Sequence, residues 1–219
     1  MERPMSLAAS AMNITTPITL EGSAVRLEPV RREHAEIFWE ISKGELDNIF
    51  QWIPYCMQTR EDFQHLVEKA FQEQQAGQSV VFATVERGSG RVIGSTRFMN
   101  IDRANRRVEI GSTWIVPAWQ RTVVNTEAKY LMLRHAFEEW QCIRVELKTD
   151  ALNQKSRNAI LRIGAKEEGT LRRHVITWTG RARDSVYFSI LDAEWPQARA
   201  ALERKLRPAL PATSAKPYR

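Results

Sequence analysis

The sequence predicts an α+β fold, in which helices flank a central mixed β-sheet that is mostly antiparallel. Several short segments alternate β-branched or aromatic residues with polar ones, which is the pattern of half-buried strands. Longer segments place apolar residues three and four positions apart, as amphipathic helices do. Along the chain these patterns follow one another as strand, two helices, three antiparallel strands, helix, strand, helix and two strands.

The individual elements follow from these patterns and from the glycines and prolines that end them. Thr59 and Asp62 match a helix-capping sequence, and Pro117 ends the central strand because it has no N–H to donate. The predicted strands cover residues 25–29, 80–85, 92–98, 108–116, 143–148, 168–178 and 183–191. The predicted helices cover residues 32–42, 60–75, 123–140, 153–163 and 196–206.

The length and composition indicate one domain with tails. A chain of 219 residues that is 43% hydrophobic can bury a proper core. We expect a flexible leader over residues 1–20, a domain over 21–195, and a helical segment with a disordered tail over 196–219. The net charge of +6 suits an anionic ligand such as a nucleotide cofactor. Nucleic acid is an alternative partner, and ordinary solvated surface is a third interpretation of the excess arginine.

The cysteines and histidines indicate neither a disulfide framework nor a metal site. Cys56 and Cys142 lie far apart and lack metal-type spacing, so a reducing cytoplasm fits. The four histidines show no ligand spacing, and we therefore expect no metal. The first twenty residues contain no continuous apolar block and no convincing cleavage site, which predicts neither a signal peptide nor a membrane segment.

The stretch over residues 108–128 joins a strand to a long helix through a short polar turn. Gln120, Arg121 and Thr122 form the turn, and the helix begins near Val123. Such a connection points free backbone N–H groups outward at the helix start, which is an arrangement that binds phosphate. An ordinary loop-to-helix turn is the alternative.

Glu109 lies on the strand upstream of this turn. A ligand with its phosphates at the turn and its tail along the strand would bring its far end toward the Glu109 carboxylate. Coenzyme A has this shape, because its pyrophosphate carries a long amide arm that ends in sulfur.

Four features in the same order resemble the GNAT acetyltransferases. They are the order of the elements, the strand Glu109-Ile110-Gly111, the turn before the helix with Thr126-Glu127-Ala128, and the helix with Asn153, Ser156 and Ile163-Gly164-Ala165. The resemblance covers about residues 21–194 and is closest to the branch with the ribosomal-protein N-terminal acetyltransferases of the RimJ/RimL type. It implies a GNAT-type fold and an enzyme that moves an acetyl group from acetyl-CoA to a primary amine by direct attack in a ternary complex.

The segment from Gln120 to Asn125 resembles the pyrophosphate loop of this family but departs from it twice. Val123 stands where the family usually has Gly, and Asn125 stands where Gly or Ala is usual. A β-branched residue resists a positive φ and puts methyl groups near the phosphate; if the loop is helical there, only the crowding remains. The resemblance implies coenzyme contacts at Ile115, Val116, Gln120, Arg121, Thr122, Val123, Val124, Asn125, Thr126, Asn153 and Ser156.

By its family position, Glu109 is a candidate general base that takes a proton from an ammonium acceptor, directly or through a water. The alternative is a structural carboxylate paired with Arg106, Arg107 or Arg144. Both interpretations stay open at the level of the sequence, because perturbed acids cluster at functional sites only statistically.

The start of the helix near residue 153 supplies the second half of the implied site. In the resembling family, an Asn at the position of Asn153 bonds the pantetheine amide, and a Ser at the position of Ser156 assists the leaving thiolate. Strand N–H groups near Ile115 and Val116 would hold the pantetheine arm and the developing oxyanion. The alternatives are a plain N-cap for Asn153 and a solvated first-turn serine for Ser156.

Trp52, Tyr55 and Trp114 are candidates for the wall of an acceptor pocket, and core or loop packing is the alternative for each of them. The acceptor itself is open, since a protein N-terminus and a small-molecule amine both fit. A homodimer is possible, although no residue specifies one.

A second hypothesis is that Val123 marks a catalytically weak acyl-CoA-binding or regulatory module with the same fold. A nucleic-acid binder comes last, because the sequence shows no interleaving of basic and aromatic residues.

Overall fold

The computed structural model describes residues 16–207, which contain one eight-stranded sheet. The strands are β1 (Leu20–Glu21), β2 (Val25–Pro29), β3 (Val80–Glu86), β4 (Val92–Asp102), β5 (Arg107–Ile115), β6 (Arg144–Asp150), β7 (Lys166–Ile176) and β8 (Ala182–Leu191). Their order in the sheet is β1-β2-β3-β4-β5-β6-β8-β7. The predicted α+β class with a mostly antiparallel mixed sheet is therefore confirmed.

Six helices connect and cover these strands. They are α1 (His34–Ser42), α2 (Leu46–Phe50), α3 (Arg60–Gln75), α4 (Val123–Arg134), α5 (Gln154–Arg162) and α6 (Trp195–Leu206). A π-helical segment (His135–Glu139) extends α4, and short 3₁₀ turns (Pro117–Trp119 and Asp192–Glu194) precede α4 and α6. Within residues 16–207, no helix is both long and apolar enough to cross a lipid bilayer.

The junction between β5 and β6 differs from every other pairing in the described sheet, because it is the parallel one. The register runs from Arg107 opposite Arg144 to Glu109 opposite Glu146 and then stops. Strand β5 nevertheless continues to Ile115, still paired with β4 on its other edge. The two strands therefore separate beyond Glu109 and leave an opening inside the sheet.

Helices cover both faces of the sheet and create two hydrophobic clusters. On one face, α1, α2 and α3 pack through Phe38, Phe50 and Phe63. On the other face, α4 and α6 pack through Met132 and Leu202, and α5 joins the same cluster. Alternate residues of β3 belong to the two clusters, as the two-residue period of a strand requires.

The ends of the chain differ in part from the predicted division. Residues 1–15 of the expected leader and 208–219 of the expected tail lie outside the described residues. Leu20, which was assigned to the leader, is buried in β1 opposite Leu27. Helix α6 packs into the core through Trp195 and Ala198, so it is continuous with the domain. Two elements, β1 and α2, were not predicted, because two and five residues are too short to show a period.

The Glu127 carboxylate ties α4 to the β1–β2 turn. It accepts the backbone N–H groups of Ser23, Ala24 and Val25 at 2.7–2.8 Å. A buried carboxylate requires such donors, and a tight turn leaves several N–H groups without partners. The Thr-Glu-Ala segment of the sequence therefore has a structural role in addition to its family resemblance.

Lys129 is buried between α4 and the sheet without a carboxylate partner among the described residues. Its ammonium nitrogen lies 2.5 Å from the hydroxyl of Thr113 and 3.3 Å from that of Thr96. Burial disfavours the charged form and lowers the pKa of Lys129 to about 7.

We expect Lys129→Met to raise the free energy of unfolding at pH 7, because an apolar side chain of similar length replaces a buried amine that no carboxylate neutralises, and the hydroxyls of Thr96 and Thr113 still bond each other. The folded-state pKa of about 7 lies below the ordinary lysine pKa of 10.5, so the unfolded chain binds more protons between these pH values. The wild-type free energy of unfolding should therefore rise across this window by about 1.4 kcal/mol per pH unit more than that of the variant.

Urea unfolding at several pH values measures this difference. Lys69→Met is the control, because the side chain of Lys69 is largely exposed. Parallel stability curves for wild type and Lys129→Met between pH 7 and pH 10 would contradict the assignment of an uncharged buried lysine.

Candidate active site

The end of β5 presents backbone groups to the opening between β5 and β6. The Val116 N–H donates to the carbonyl of Ile93 at 2.9 Å, and the Val116 carbonyl accepts from Trp119 at 3.0 Å. Adjacent residues of a strand direct their polar groups to opposite edges. Ile115 therefore faces the opening, and its carbonyl accepts the side-chain amide of Gln120 at 2.8 Å.

Ile115 and Val116 therefore differ in the availability of their N–H groups, although both were predicted as coenzyme contacts. Both backbone groups of Val116 are already used within the fold, so Val116 is not available as a coenzyme contact through its N–H. The N–H of Ile115 points into the opening, and Ile115 remains the candidate for holding the amide arm of coenzyme A.

The turn before α4 has the form of an anion site. Thr122 is the N-cap, and its hydroxyl lies 3.4 Å from the N–H of Val124. The N–H groups of Val123, Val124 and Asn125 have no carbonyl partner within the helix, because they belong to its first turn. The positive end of the helix dipole adds to these donors.

Val123 is helical in the structure, as the first residue of α4, and its side chain is 43% exposed. The positive φ of the turn, 62°, falls on Arg121 instead. The anticipated conflict between a β-branched residue and a left-handed backbone therefore does not arise, and only crowding by the Val123 methyl groups remains. The Val124 side chain is buried in the core, so Val124 can contact a ligand only through its backbone N–H.

Helix α5 brings two cations to the same turn. The Lys155 ammonium contacts the side-chain oxygen of Gln120, and the Arg162 guanidinium lies 3.5 Å from the hydroxyl of Thr126. Free N–H groups and nearby cations suit a diphosphate. The residues around the start of α4 therefore fit the pyrophosphate of coenzyme A.

Asn153 is the N-cap of α5, as the plainer interpretation of the sequence predicted. Its side-chain oxygen accepts the N–H of Ser156 at 3.0 Å. The cap uses only the oxygen, which leaves the amide N–H₂ of Asn153 free to donate to a ligand. Ser156 lies half-buried in the first turn of α5, where the chain leaves β6 beside the opening.

Glu109 is 2% exposed and lies on the face of the sheet that α1–α3 cover. Its Oε2 accepts from the Asn100 amide at 2.8 Å and from the Lys148 ammonium at 2.9 Å. The expected structural partners are absent, because Arg107 and Arg144 bind Glu146 instead.

The second carboxylate oxygen of Glu109 has a different environment. Neither hydrogen bond reaches Oε1, so this oxygen can accept a proton from a ligand. Gly111 makes room for it, since a Cβ atom at Gly111 would lie 3.1 Å from Oε1 and 2.7 Å from the sulfur of Met99.

A cleft of about 920 Å³ opens on Glu109. Its lining is mostly polar and charged, and it comes from the end of α3, the β4–β5 turn and the inner strands. The lining residues are Gln75, Ala76, Gly77, Asn100, Ile101, Asp102, Arg103, Ala104, Arg107, Glu109, Glu146 and Tyr187. The cleft lies across the sheet from α4, at the end where β5 and β6 are paired, and none of its lining residues belongs to the anion site.

The three aromatic candidates have different positions. Trp114 is 5% exposed and packs edge-on against Phe38 and Phe50 at centroid distances of 5.3 and 5.2 Å. Trp114 is therefore a core residue, and its predicted place in the pocket wall is wrong. Trp52 and Tyr55 are half-buried in the loop between α2 and α3 and remain candidates for the wall.

Asn100 and Lys148, which hold Glu109 in place, were not predicted as site residues. Tyr187 was not assigned to the cleft. Asn100 follows the predicted end of β4, and Lys148 is a polar residue that alternates with the apolar residues of β6. Asn100 reaches Glu109 through the β4–β5 register, and Lys148 reaches it through the β5–β6 register; the sequence displays neither register.

We expect Gly111→Ala to reduce turnover several-fold, because Glu109 Oε1 would have to shift by a few tenths of an ångström from its place at the site. The added methyl group would push Glu109 Oε1 and Met99 out of position. Thiol release from acetyl-CoA in the presence of an amine measures the effect. Gly44→Ala is the control, since its Cβ would have no neighbour within 4 Å; equal turnover of wild type and Gly111→Ala would contradict the crowding.

Comparison with protein families matches residues 24–166 to the acetyltransferase (GNAT) domain. A structure of a GCN5-related N-acetyltransferase from Brucella melitensis is 33% identical, covers 87% of this chain and 86% of its own, and has a TM-score of 0.79. This chain therefore belongs to the GNAT acetyltransferase family, and the predicted family and fold are confirmed.

Two further relatives carry more specific names. YdaF of Bacillus subtilis (strain 168), whose name proposes a ribosomal N-acetyltransferase, is 36% identical over 106 residues, which are 48% of this chain and 57% of YdaF. The match thus spans little more than half of YdaF. Mycobacterium smegmatis RimJ in complex with CoA-disulfide shares the fold, with a TM-score of 0.74, 24% identity and coverage of 87% and 93%.

Proposed function

We propose that this protein transfers the acetyl group of acetyl-CoA to a primary amine by direct attack in a ternary complex. One C–S bond breaks and one C–N bond forms, and the amine proton passes to Glu109. The observation that carries this proposal is the opening between β5 and β6, which begins beyond Glu109 and extends to Ile115, a few residues before the anion site at α4. A ligand with the length and charge of acetyl-CoA spans these two places.

Each residue at the opening has a proposed role in coenzyme binding or in proton transfer. The first N–H groups of α4 and Lys155 bind the diphosphate, and the Ile115 N–H and the Asn153 amide hold the pantetheine arm. Oε1 of Glu109 accepts the proton of the acceptor ammonium, while Oε2 stays bonded to Asn100 and Lys148. Ser156 stands beside the opening on α5 and assists the departing thiolate as a proton donor.

A protein N-terminus is the acceptor that we favour between the two open classes. The name of YdaF supports this choice, because it proposes a ribosomal substrate for that relative. We place the reaction in the cytoplasm, since Cys56 and Cys142 are both free thiols.

We expect Glu109→Gln to lower kcat by about 100-fold at pH 7, because the amide keeps the shape of the side chain but cannot accept the proton. Thiol release with a panel of amines measures kcat, and calorimetry with acetyl-CoA should show that coenzyme affinity is preserved. Glu61→Gln is the matched control on the exposed surface. Normal turnover by Glu109→Gln would remove Glu109 from the mechanism.

The alternative function, a weakly active module that binds acyl-CoA, rests on Val123. We expect acetyl-CoA to give a clear binding heat, and Val123→Gly to tighten binding by roughly threefold, equivalent to about 0.7 kcal/mol. S-acetylpantetheine has no diphosphate and should bind both proteins equally, and Val123→Ala separates the loss of methyl groups from backbone freedom. No detectable heat with acetyl-CoA would contradict the enzyme and favour a regulatory module that keeps the fold but binds acyl-CoA poorly.

A further inference from the structure

Two arginines and one aspartate form a cluster where β6 and β8 meet. Asp150 is completely buried, and its Oδ2 binds the Arg181 guanidinium. The Nε of Arg183 lies 3.9 Å from the same oxygen, and the Arg183 side chain is only 7% exposed. The cluster therefore holds two positive charges and one negative charge, of which Asp150 and Arg183 are buried while the Arg181 side chain is 37% exposed.

Two polar groups of this cluster have no hydrogen-bond partner among the described residues. They are the Nε of Arg183 and the hydroxyl of Ser185, and Ser185 is 0% exposed. Ser185 lies opposite Asp150 in the β6–β8 register, so both groups converge on one place. Unpaired buried polar groups are rare in native proteins and indicate a missing partner.

This place lies on the same face of the sheet as the cleft at Glu109, although neither Arg183 nor Ser185 lines that cleft. Arg183 and Ser185 alternate along β8 with Val186 and Phe188, which pack on the opposite face. Tyr187, two positions further along, lines the cleft that opens on Glu109.

The hydrogen bond that Arg183 makes within the fold goes to a neutral group, so the guanidinium can still bind a charged acceptor. Its Nη1 donates to the carbonyl of Trp52 at 3.2 Å, which is a bond to a neutral acceptor. Burial lowers the pKa of Arg183, which means that the surrounding charges do not fully compensate its own. A second carboxylate would neutralise the cluster and form charge-assisted hydrogen bonds with Nε and with the Ser185 hydroxyl.

We propose that the acceptor is an amine that carries its own carboxylate, which Arg183 and Ser185 bind while Glu109 receives the ammonium group. This substrate class rests on the proposed acetyl transfer and makes its acceptor more specific. Arg183 and Ser185 are then specificity-determining residues, and Asp150 is a positioning residue for the Arg183 guanidinium.

The test compares matched pairs of acceptors that differ only in a carboxylate. The pairs are tripeptide amides that begin with aspartate or asparagine, tripeptide amides that begin with glutamate or glutamine, and β-alanine with its amide. For at least one pair, we expect wild type to show a kcat/KM about tenfold higher for the acid, equivalent to about 1.4 kcal/mol. Arg183→Gln should abolish that preference while it preserves turnover of the neutral member.

Two further variants keep the test decisive. Ser185→Ala is a small change that should reduce the preference several-fold through KM, even if Arg183→Gln fails to fold. Arg172→Gln removes the same charge from an exposed position of β7 and should leave the preference unchanged. A preference that Arg183→Gln and Ser185→Ala both retain would remove these residues from acceptor recognition.

The remaining outcomes separate the two proposals. Equal turnover of the acid and neutral members of every pair would overturn the carboxylate-bearing acceptor and leave acetyl transfer intact. If wild type acetylates none of the six acceptors or any other amine, the proposed transferase activity fails and this inference fails with it.

Discussion

The parallel contact between β5 and β6 lasts for three residue pairs, and the position of the candidate site depends on where it ends. Beyond Glu109, the edge of β5 is unpaired in the middle of a sheet, where polar backbone groups require partners. The carbonyl of Ile115 accepts a hydrogen bond from the Gln120 side chain, and the Ile115 N–H is available to a ligand. Because α4 follows β5 and α5 follows β6, the positive ends of both helices lie at the same opening.

Local patterns predicted most of the fold. The Thr59 cap of α3 is confirmed, since Thr59 and Asp62 each accept the other's backbone N–H. The turn from Gln120 into α4 and the Asn153 cap of α5 are also confirmed, because capping depends on residues only a few positions apart. Glu109 could be recognised as a candidate from its place on β5; the structure pairs its Oε2 with Lys148, and its role as a base stays a prediction.

Features that depend on distant residues could not be predicted. The sequence fits Trp114 equally well in a pocket wall or in the core, because the bulge at Ser112, with φ 47°, is not visible in it. The structure packs Trp114 into the core. Lys148 alternates like a surface residue and meets Glu109 only through the β5–β6 register. The role of Arg183 depends on Asp150, which lies 33 positions earlier on another strand, so no local spacing indicates it.

The most direct measurement is a crystal structure of the chain with acetyl-CoA. The account predicts the diphosphate at the first turn of α4, the pantetheine arm between β5 and β6 against Ile115, and the thioester directed at Glu109. A coenzyme bound elsewhere, or β5 and β6 paired continuously across the opening, would contradict it.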